Sequence, residues 1–316
     1  MSGSTDAPFR RQAVRFGAKA VVSEMVAGES LLIGREDVVR RTCRHDGQGP
    51  WIVQLAGRRP EDMLASARLL SDQGVDVIDI NMGCPSKQVT GGQSGSALMR
   101  DLDLASRIIE ATLEGAGGTP VSLKMRLGWD HDSLNAPELA AIAERLGVCW
   151  VTVHGRTRCM FYKGEADWTA VASTSDAIRI PLIVNGDIGS TDDAHRALAA
   201  SKAEAVMIGR AAVGRPWLVG EIEASLNGAS YQQPSIMEQF DSLAEQIADS
   251  VALYGERLGV RTVRKHIAAA IDALDTPLSI PERRAVRGDV CRIDDPRELT
   301  RALRNIYSTD RFVIAA

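Results

Sequence analysis

One cysteine stands where the sequence predicts a reactive thiol. Cys84 lies in the segment Asn-Met-Gly-Cys-Pro at residues 81–85, directly after a hydrophobic run that predicts a buried strand. The glycine and the proline of this segment fix a turn, so we expect the thiol at the end of the strand. A cysteine with no other signal is most often a buried structural residue. The neighbouring Asn81 and the glycine-rich segment 91–95 favour a thiol that takes part in chemistry.

Two cations follow on the next predicted strand. Lys124 and Arg126 are two residues apart in a hydrophobic run, so both side chains point to the same side of a strand. Such a pair needs an anion or carbonyl oxygens as its partner, and the pyrimidine ring of a reduced flavin or a uracil would serve. Surface cations at a frayed strand end are the alternative interpretation.

The ends of the later strands carry further polar residues. His154 and Arg156 follow one hydrophobic run, and Asn185-Gly186-Asp187 and Gly209-Arg210 follow the next two. Small residues in such loops leave backbone N–H groups free to bind a phosphate. In a β/α barrel the loops after the last two strands commonly hold phosphate groups.

The elements that must position these residues are short runs rich in Val and Ile, separated by helix-like stretches. The seven predicted strands are Val21–Val26, Trp51–Ala56, Val75–Asn81, Val121–Leu127, Trp150–Gly155, Leu182–Asn185 and Ala205–Gly209. Helices are predicted between them at 59–73, 102–115 and 136–146. This alternation predicts a parallel sheet, either a barrel or an open doubly wound sheet. Polar residues at the carboxyl ends of most strands favour a TIM (β/α)8 barrel.

The chain is predicted to have two domains. Only seven of the eight barrel strands are found, and we expect the first strand to be missing from this chain because of a truncated or misassigned start. Beyond residue 221 the strand signals stop, and helices are predicted at 235–254, 260–274, 281–290 and 296–306. We therefore expect an α/β barrel domain at 1–225 and a small helical-bundle domain at 235–316.

Composition excludes several classes of protein. The chain has 316 residues, 45% hydrophobic and 25% charged, which predicts a soluble globular protein. No apolar run approaches the ~20 residues of a membrane span, and no leader precedes the first helix, so we expect a cytoplasmic protein without membrane contacts. Five scattered cysteines without a Cys-x-x-Cys pair argue against disulfides, a zinc site or an iron–sulfur cluster.

The helical tail carries a basic face. Residues 257–304 contain 11 Arg and Lys against 7 Asp and Glu, although the whole chain has a net charge of −4. Arg261, Arg264 and Lys265 are spaced to share one face of a helix. A solvated helix face is the default interpretation, and a surface that binds the phosphates of a nucleic acid is the alternative.

Together these residues resemble the motifs of the tRNA-dihydrouridine synthases, and most closely those of the bacterial B-type branch. The likeness extends from Met1 to about Leu218 and continues more loosely through the tail. The matching segments, in the family's order, are Ser23-Glu24-Met25, Val53-Gln54-Leu55-Ala56-Gly57, Asp79-Ile80-Asn81-Met82-Gly83-Cys84-Pro85, Lys124-Met125-Arg126, His154-Gly155-Arg156-Thr157-Arg158, Asn185-Gly186-Asp187-Ile188 and Ile208-Gly209-Arg210.

The resemblance implies an FMN-dependent oxidoreductase that reduces the C5–C6 double bond of a D-loop uridine in tRNA, with NADPH as electron donor. It implies Cys84 as the acid that protonates C5 from the face opposite the flavin. It assigns FMN contacts to Gln54, Lys124, His154, Asn185, Gly186, Asp187, Gly209 and Arg210. It assigns the flipped uracil to Asn81, Arg126 and Tyr162. We expect a monomer whose tRNA contacts at the elbow include Arg261, Arg264 and Lys265 and which holds no metal.

The sequence departs from the family's pattern in two places. The family begins with a strand that ends in Ala-Pro-Met-Ala-Gly and contacts the flavin, whereas this chain starts at what resembles that Met. After Arg264-Lys265-His266 the family usually has aromatic residues, whereas this chain continues with Ile267-Ala268-Ala269-Ala270. The second departure bears on the details of tRNA contact.

Two other functions remain open from the sequence. One is a flavin-barrel dehydrogenase of a small molecule, such as a dihydropyrimidine or dihydroorotate, which would not need the basic tail. The other is a non-catalytic RNA-binding or regulatory relative, for which the missing strand is an argument. Uptake of FMN separates the last possibility from both enzymes.

Overall fold

A parallel sheet with its strands in sequential order dominates the first part of the chain. The computed structural model describes residues 3–45 and 47–308; residues 1, 2, 46 and 309–316, which fall within the predicted domains, lie outside the described residues. The strands are β1 Val21–Val22, β2 Val26–Ala27, β3 Trp51–Ala56, β4 Val77–Met82, β5 Val121–Arg126, β6 Val151–His154, β7 Leu182–Asn185 and β8 Ala205–Met207. All pair in parallel in the order β1-β3-β4-β5-β6-β7-β8, with β2 also on β3. A doubly wound sheet would reverse this order at a switch point, so the fold is of the TIM-barrel type, as predicted.

The prediction of the first strand is wrong in one detail. Residues 21–26 form two short strands instead of one, and both pair with β3. The hydroxyl of Ser23, between them, accepts the backbone N–H of Gln54 at 3.0 Å and donates to the carbonyl of Glu24. A side chain here replaces a backbone partner in the ladder, which interrupts regular pairing.

The sheet is open between its first and last strands. Among the described residues no strand precedes β1, and β1 and β8 do not pair with each other. Every residue of β4 in the middle is buried, whereas those of β1 and β8 are half-buried or exposed. The described sheet therefore has seven positions, as predicted.

Helices alternate with the strands and then continue alone. They are α1 Ala7–Arg15, α2 Gly28–Leu32, α3 Glu36–Thr42, α4 Pro60–Asp72, α5 Lys87–Thr90, α6 Leu102–Ala116, α7 Ala136–Leu146, α8 Trp168–Ala177, α9 Thr191–Ser201, α10 Leu218–Leu226, α11 Ile236–Tyr254, α12 Glu256–Ala273, α13 Ile280–Val290 and α14 Pro296–Ser308. Local signals set many of their ends. Capping boxes begin α11 at Ser235 and α13 at Ser279, and the left-handed Gly117 ends α6. The predicted helices, including the four of the tail, are confirmed. None of the described helices has the length and apolar character needed to cross a bilayer.

The chain forms two compact units. The sheet unit contains residues 20–44 and 48–209, and the helical unit contains residues 3–19 and 210–308 together with His45 and Gly47. Helix α1 joins the helical unit through contacts with α11, in which Gln12 accepts a hydrogen bond from Ser242 and Arg11 pairs with Asp249. These bounds differ from the predicted division at 225–235, which grouped α1 and α10 with the barrel. A core from Phe240 to Tyr307 joins α11–α14.

Candidate active site

Strand register brings the predicted polar residues side by side at the carboxyl end of the sheet. Asn81 on β4 is the register partner of Lys124 on β5. Arg126 is the partner of His154 on β6, which is in turn the partner of Asn185 on β7. Residues separated by many positions in the sequence therefore form two adjacent rows, Asn81–Lys124 and Arg126–His154–Asn185, at the ends of four strands.

The loop that carries Cys84 is held on both sides of that residue. The Asn81 side-chain oxygen accepts the backbone N–H groups of Gly83 at 3.1 Å and of Cys84 at 2.9 Å. The carbonyl of Cys84 accepts the N–H of Ser96 at 3.1 Å and its hydroxyl at 2.8 Å. Cys84 itself is a half-buried free thiol. The fold thus fixes the backbone of this cysteine and leaves its sulfur unbonded to another cysteine.

The glycine-rich segment after Cys84 packs directly on it. Gly95 has φ +59°, and a Cβ there would lie 2.9 Å from the Cys84 carbonyl oxygen and 3.1 Å from the Cys84 Cβ. A side chain at this position would be strained and would push the cysteine loop away. In the sequence this segment only favoured a thiol that takes part in chemistry; the structure places Gly95 directly against Cys84.

Lys124 is a half-buried cation with one amide partner. Its ammonium donates to the Asn185 side-chain oxygen at 3.0 Å, and Asn185 donates to the Met207 carbonyl at 2.8 Å. Burial lowers the pKa of Lys124 to about 8, and the charge of Arg126 lowers it further in the same direction. The ammonium is therefore sensitive to any negative charge that binds nearby.

Arg126 connects two loops at this end of the sheet. Its Nε donates to the Gly83 carbonyl at 2.8 Å, and its Nη1 donates to the carbonyls of Thr157 at 2.8 Å and Phe161 at 2.9 Å. The side chain is 1% exposed, and burial lowers its pKa to about 10. The guanidinium also lies 5.7 Å from the ring centre of Tyr162, which is 57% exposed. Arg126 therefore holds the cysteine loop and the Tyr162 loop in fixed positions.

An ion pair shapes the loop between β6 and α8. Arg156 is 2% exposed and binds both carboxylate oxygens of Asp187, at 2.9 and 2.5 Å. It also donates to the carbonyls of Lys163 and Gly164, while Asp187 accepts the N–H of Ala166. The sequence predicted Asp187 as a cofactor contact and gave Arg156 no separate role. In the structure the two residues together hold the loop that carries Tyr162.

The predicted glycine at the end of β7 leaves no room for a side chain. Gly186 has φ +118°, and a Cβ there would lie 2.8 Å from both the His154 ring and the Ala166 Cβ. After β8, Gly209 is half-buried, and Arg210 is exposed and is the first residue of the helical unit in this region. Gly186 and His154 therefore pack against each other at the carboxyl end of the sheet.

The family model for dihydrouridine synthase matches residues 1–308. This chain belongs to the dihydrouridine synthase family. Among curated relatives, a probable tRNA-dihydrouridine synthase of Rhodobacter capsulatus is 46% identical over 98% of this chain and 93% of its own length. A probable tRNA-dihydrouridine synthase of Rickettsia conorii is 43% identical over 98% and 92%. A tRNA-dihydrouridine synthase B of Xanthomonas campestris is 43% identical over 84% and 80%.

The basic face of this dihydrouridine synthase family member lies on α12. Arg261 is exposed, and Arg264 and Lys265 are half-buried. Arg264 donates to Asp294 at 2.5 Å and to the Ile293 carbonyl at 3.3 Å, so it ties α12 to the segment before α14. Of the three predicted tRNA contacts, Arg264 already has partners within the helical unit.

Sequence reasoning gave no separate role to several residues that build the site. Ser96 and Arg156 act through contacts across loops, and Asp79 lies beneath Gln54 and Asn81 inside the sheet. Asp79 had one available signal, because an acidic residue in the middle of a hydrophobic strand needs buried partners.

Proposed function

We propose that the protein reduces the C5–C6 double bond of a uridine in tRNA, with bound FMN as cofactor and NADPH as electron donor. The observation that carries this proposal is the free thiol of Cys84, held beside Asn81 and Arg126 at the strand ends of a dihydrouridine synthase family member. The relatives whose names include this activity span nearly the whole chain.

The residues at the strand ends fit FMN. Lys124 supplies a half-buried cation suited to the pyrimidine ring of a reduced flavin; it donates to Asn185, whose register partner is His154. Gly186, where a Cβ would collide with the His154 ring, lets the end of β7 pack closely against that ring. Gln54, Asp187, Gly209 and Arg210 complete the proposed set. The chemistry that FMN supplies when bound is the delivery of a hydride to C6 of the uracil.

The chain's own residues bind the base and move the proton. Cys84 donates its thiol proton to C5, from the face opposite the hydride. Arg126, with its guanidinium fixed by three carbonyls, stabilises negative charge on the uracil carbonyl oxygens. Asn81 orients the base, and the exposed ring of Tyr162 offers a surface for stacking.

The substrate is a uridine that can leave its stack. We propose a D-loop uridine at the tRNA elbow, because loop bases flip at lower cost than paired ones. Arg261 and Lys265 bind phosphates of the tRNA without reading its sequence. Since tRNA is the proposed substrate, we place the protein in the cytoplasm. We also propose that it is a monomer.

The test uses purified protein and tRNA from cells that lack this gene. We expect one FMN per chain and NADPH-dependent formation of dihydrouridine, measured by mass spectrometry of digested tRNA. Free uracil and dihydroorotate serve as competing substrates. Protein that does not bind FMN, or that oxidises dihydroorotate and leaves tRNA unchanged, would contradict the proposal.

A further inference from the structure

Asp79 is a buried carboxylate that has no role in the proposed reaction. It lies in the middle of β4, two residues before Asn81 and on the same face, and is 2% exposed. One of its oxygens accepts the side-chain N–H of Gln54 at 2.6 Å, and the other accepts the Ser122 hydroxyl at 2.7 Å. Gln54 and Ser122 are its register partners on the two neighbouring strands.

From Asp79 a line of hydrogen bonds leads to the cysteine loop. The Gln54 side-chain oxygen accepts the Asn81 side-chain N–H at 2.7 Å. The Asn81 side-chain oxygen then accepts the backbone N–H groups of Gly83 and Cys84. We call this line the amide relay: Asp79, Gln54, Asn81 and the two backbone N–H groups.

The amide relay can point in only one direction. Its last members are backbone N–H groups, which only donate, so Asn81 must present its oxygen to them. Its first member presents a carboxylate oxygen, which accepts, so Gln54 must present its NH2 group to Asp79. Both ends require the same orientation of the two amides. Burial raises the pKa of Asp79, yet a protonated carboxyl could donate to Ser122 and still accept from Gln54.

We propose that Asp79 is a positioning residue that fixes the orientation of Gln54 and Asn81 and thereby holds the Cys84 loop. Without an acceptor at residue 79 the Gln54 amide can flip, and the Asn81 amide must flip with it to avoid two NH2 groups that face each other. The N–H groups of Gly83 and Cys84 would then face an NH2 group and lose their acceptor. The consequence for turnover rests on the proposed function, in which Cys84 is the acid.

Two substitutions separate hydrogen bonding from charge. Asp79→Asn keeps an oxygen for Gln54 and directs an NH2 group to the Ser122 hydroxyl, which can accept it. Asp79→Leu keeps the branching at Cγ and removes both polar atoms. Thr152→Val is the matched control, because Thr152 is fully buried on β6 and its hydroxyl has no hydrogen-bond partner among the described residues.

The direct readout is hydrogen exchange of the Gly83 and Cys84 amides in the full chain, followed by mass spectrometry or NMR. We expect Asp79→Leu to speed exchange of these amides by about 10-fold or more, with β6 and β7 unchanged. We expect Asp79→Asn and Thr152→Val to stay within about 3-fold of the original protein. Unchanged exchange in Asp79→Leu, or equally fast exchange in Asp79→Asn, would overturn the proposal.

A second variant covers the case in which Asp79→Leu does not fold. Gln54→Met interrupts the amide relay in its middle and leaves Asp79 and Ser122 paired, so it should speed the same two amides. Protection equal to that of the original protein would overturn the proposal.

Kinetics provide a second readout. Asp79→Leu should lower kcat by about 10-fold or more with little change in the KM for tRNA, and Asp79→Asn should restore most of it. Exchange needs neither tRNA nor reductant. A protein without dihydrouridine activity would therefore refute the proposed function and leave the test of the amide relay intact.

Discussion

Two buried arginines of the sheet unit are held in a different way from an arginine of the helical unit. Arg126 and Arg156 are 1% and 2% exposed, and their N–H groups bind backbone carbonyls or a carboxylate. Arg261 on α12 is exposed. A fixed buried donor can recognise the carbonyl positions of one base, whereas an exposed cation on a long side chain recognises phosphate charge. The comparison predicts that the first kind controls the rate of reaction and the second controls tRNA affinity.

A large expected effect follows from removing Arg126. Arg126→Met keeps most of the volume but leaves the carbonyls of Gly83, Thr157 and Phe161 without their donor. We expect kcat to fall by about 10³-fold, because a charge-stabilising donor and the position of the cysteine loop are lost together. Steady-state kinetics with saturating tRNA measure this. Arg126→Lys should not restore the activity, since one ammonium cannot replace the planar fork of donors.

A loss confined to tRNA affinity in Arg126→Met would break the comparison. Thermal unfolding followed by circular dichroism is the necessary control, because only a folded variant can report on catalysis.

A histidine in the helical unit predicts a pH dependence of stability. His266 is 1% exposed and stacks on Phe9 at 4.9 Å. Burial lowers its pKa to about 3, and the charge of Lys265 adds to the shift. Because the unfolded histidine binds a proton near pH 6.5 and the folded one does not, stability is present above pH 6.5 and is lost as the pH falls. The expected loss is about 3 kcal/mol between pH 7 and pH 4.

Chemical denaturation at several pH values checks this, with His266→Phe as the comparison. The free energy of unfolding of the variant should fall less between pH 7 and pH 4 than that of the original protein. An identical loss in both proteins would show that His266 is not responsible.

The smallest expected effect belongs to the cations of α12. Arg261→Ala combined with Lys265→Ala should weaken tRNA binding by about 10-fold and reduce the slope of log affinity against log salt by about 2. The kcat at saturating tRNA should change by less than about 3-fold. Filter binding at several salt concentrations measures both affinity and slope. A large fall in kcat with unchanged affinity would reverse the comparison.

Much of the site could be predicted because strands alternate with a period of two. Lys124 and Arg126 share a face for that reason, and the carboxyl ends of parallel strands meet at one edge, where Asn81, His154 and Asn185 all lie. The TIM-barrel type of sheet was predictable from the same pattern.

Contacts that depend on loop paths could not be predicted. Arg156 and Asp187 are 31 residues apart, and their pairing depends on how two loops fold over the sheet. The break between β1 and β2 depends on the Ser23 hydroxyl, which the hydrophobic pattern does not distinguish from any other polar residue. Helix α1 belongs with α11 because of Gln12 and Ser242, which are 230 positions apart.

The most direct test of the central claim compares two half-reactions in Cys84→Ala. Flavin absorbance under anaerobic conditions reports the reduction of the protein by NADPH and its reoxidation by tRNA. We predict reduction within about 3-fold of the original protein and reoxidation slower by about 10²–10⁴-fold, the range typical of a lost general acid. Reoxidation of the variant by tRNA at the original rate would contradict the role of Cys84 as proton donor.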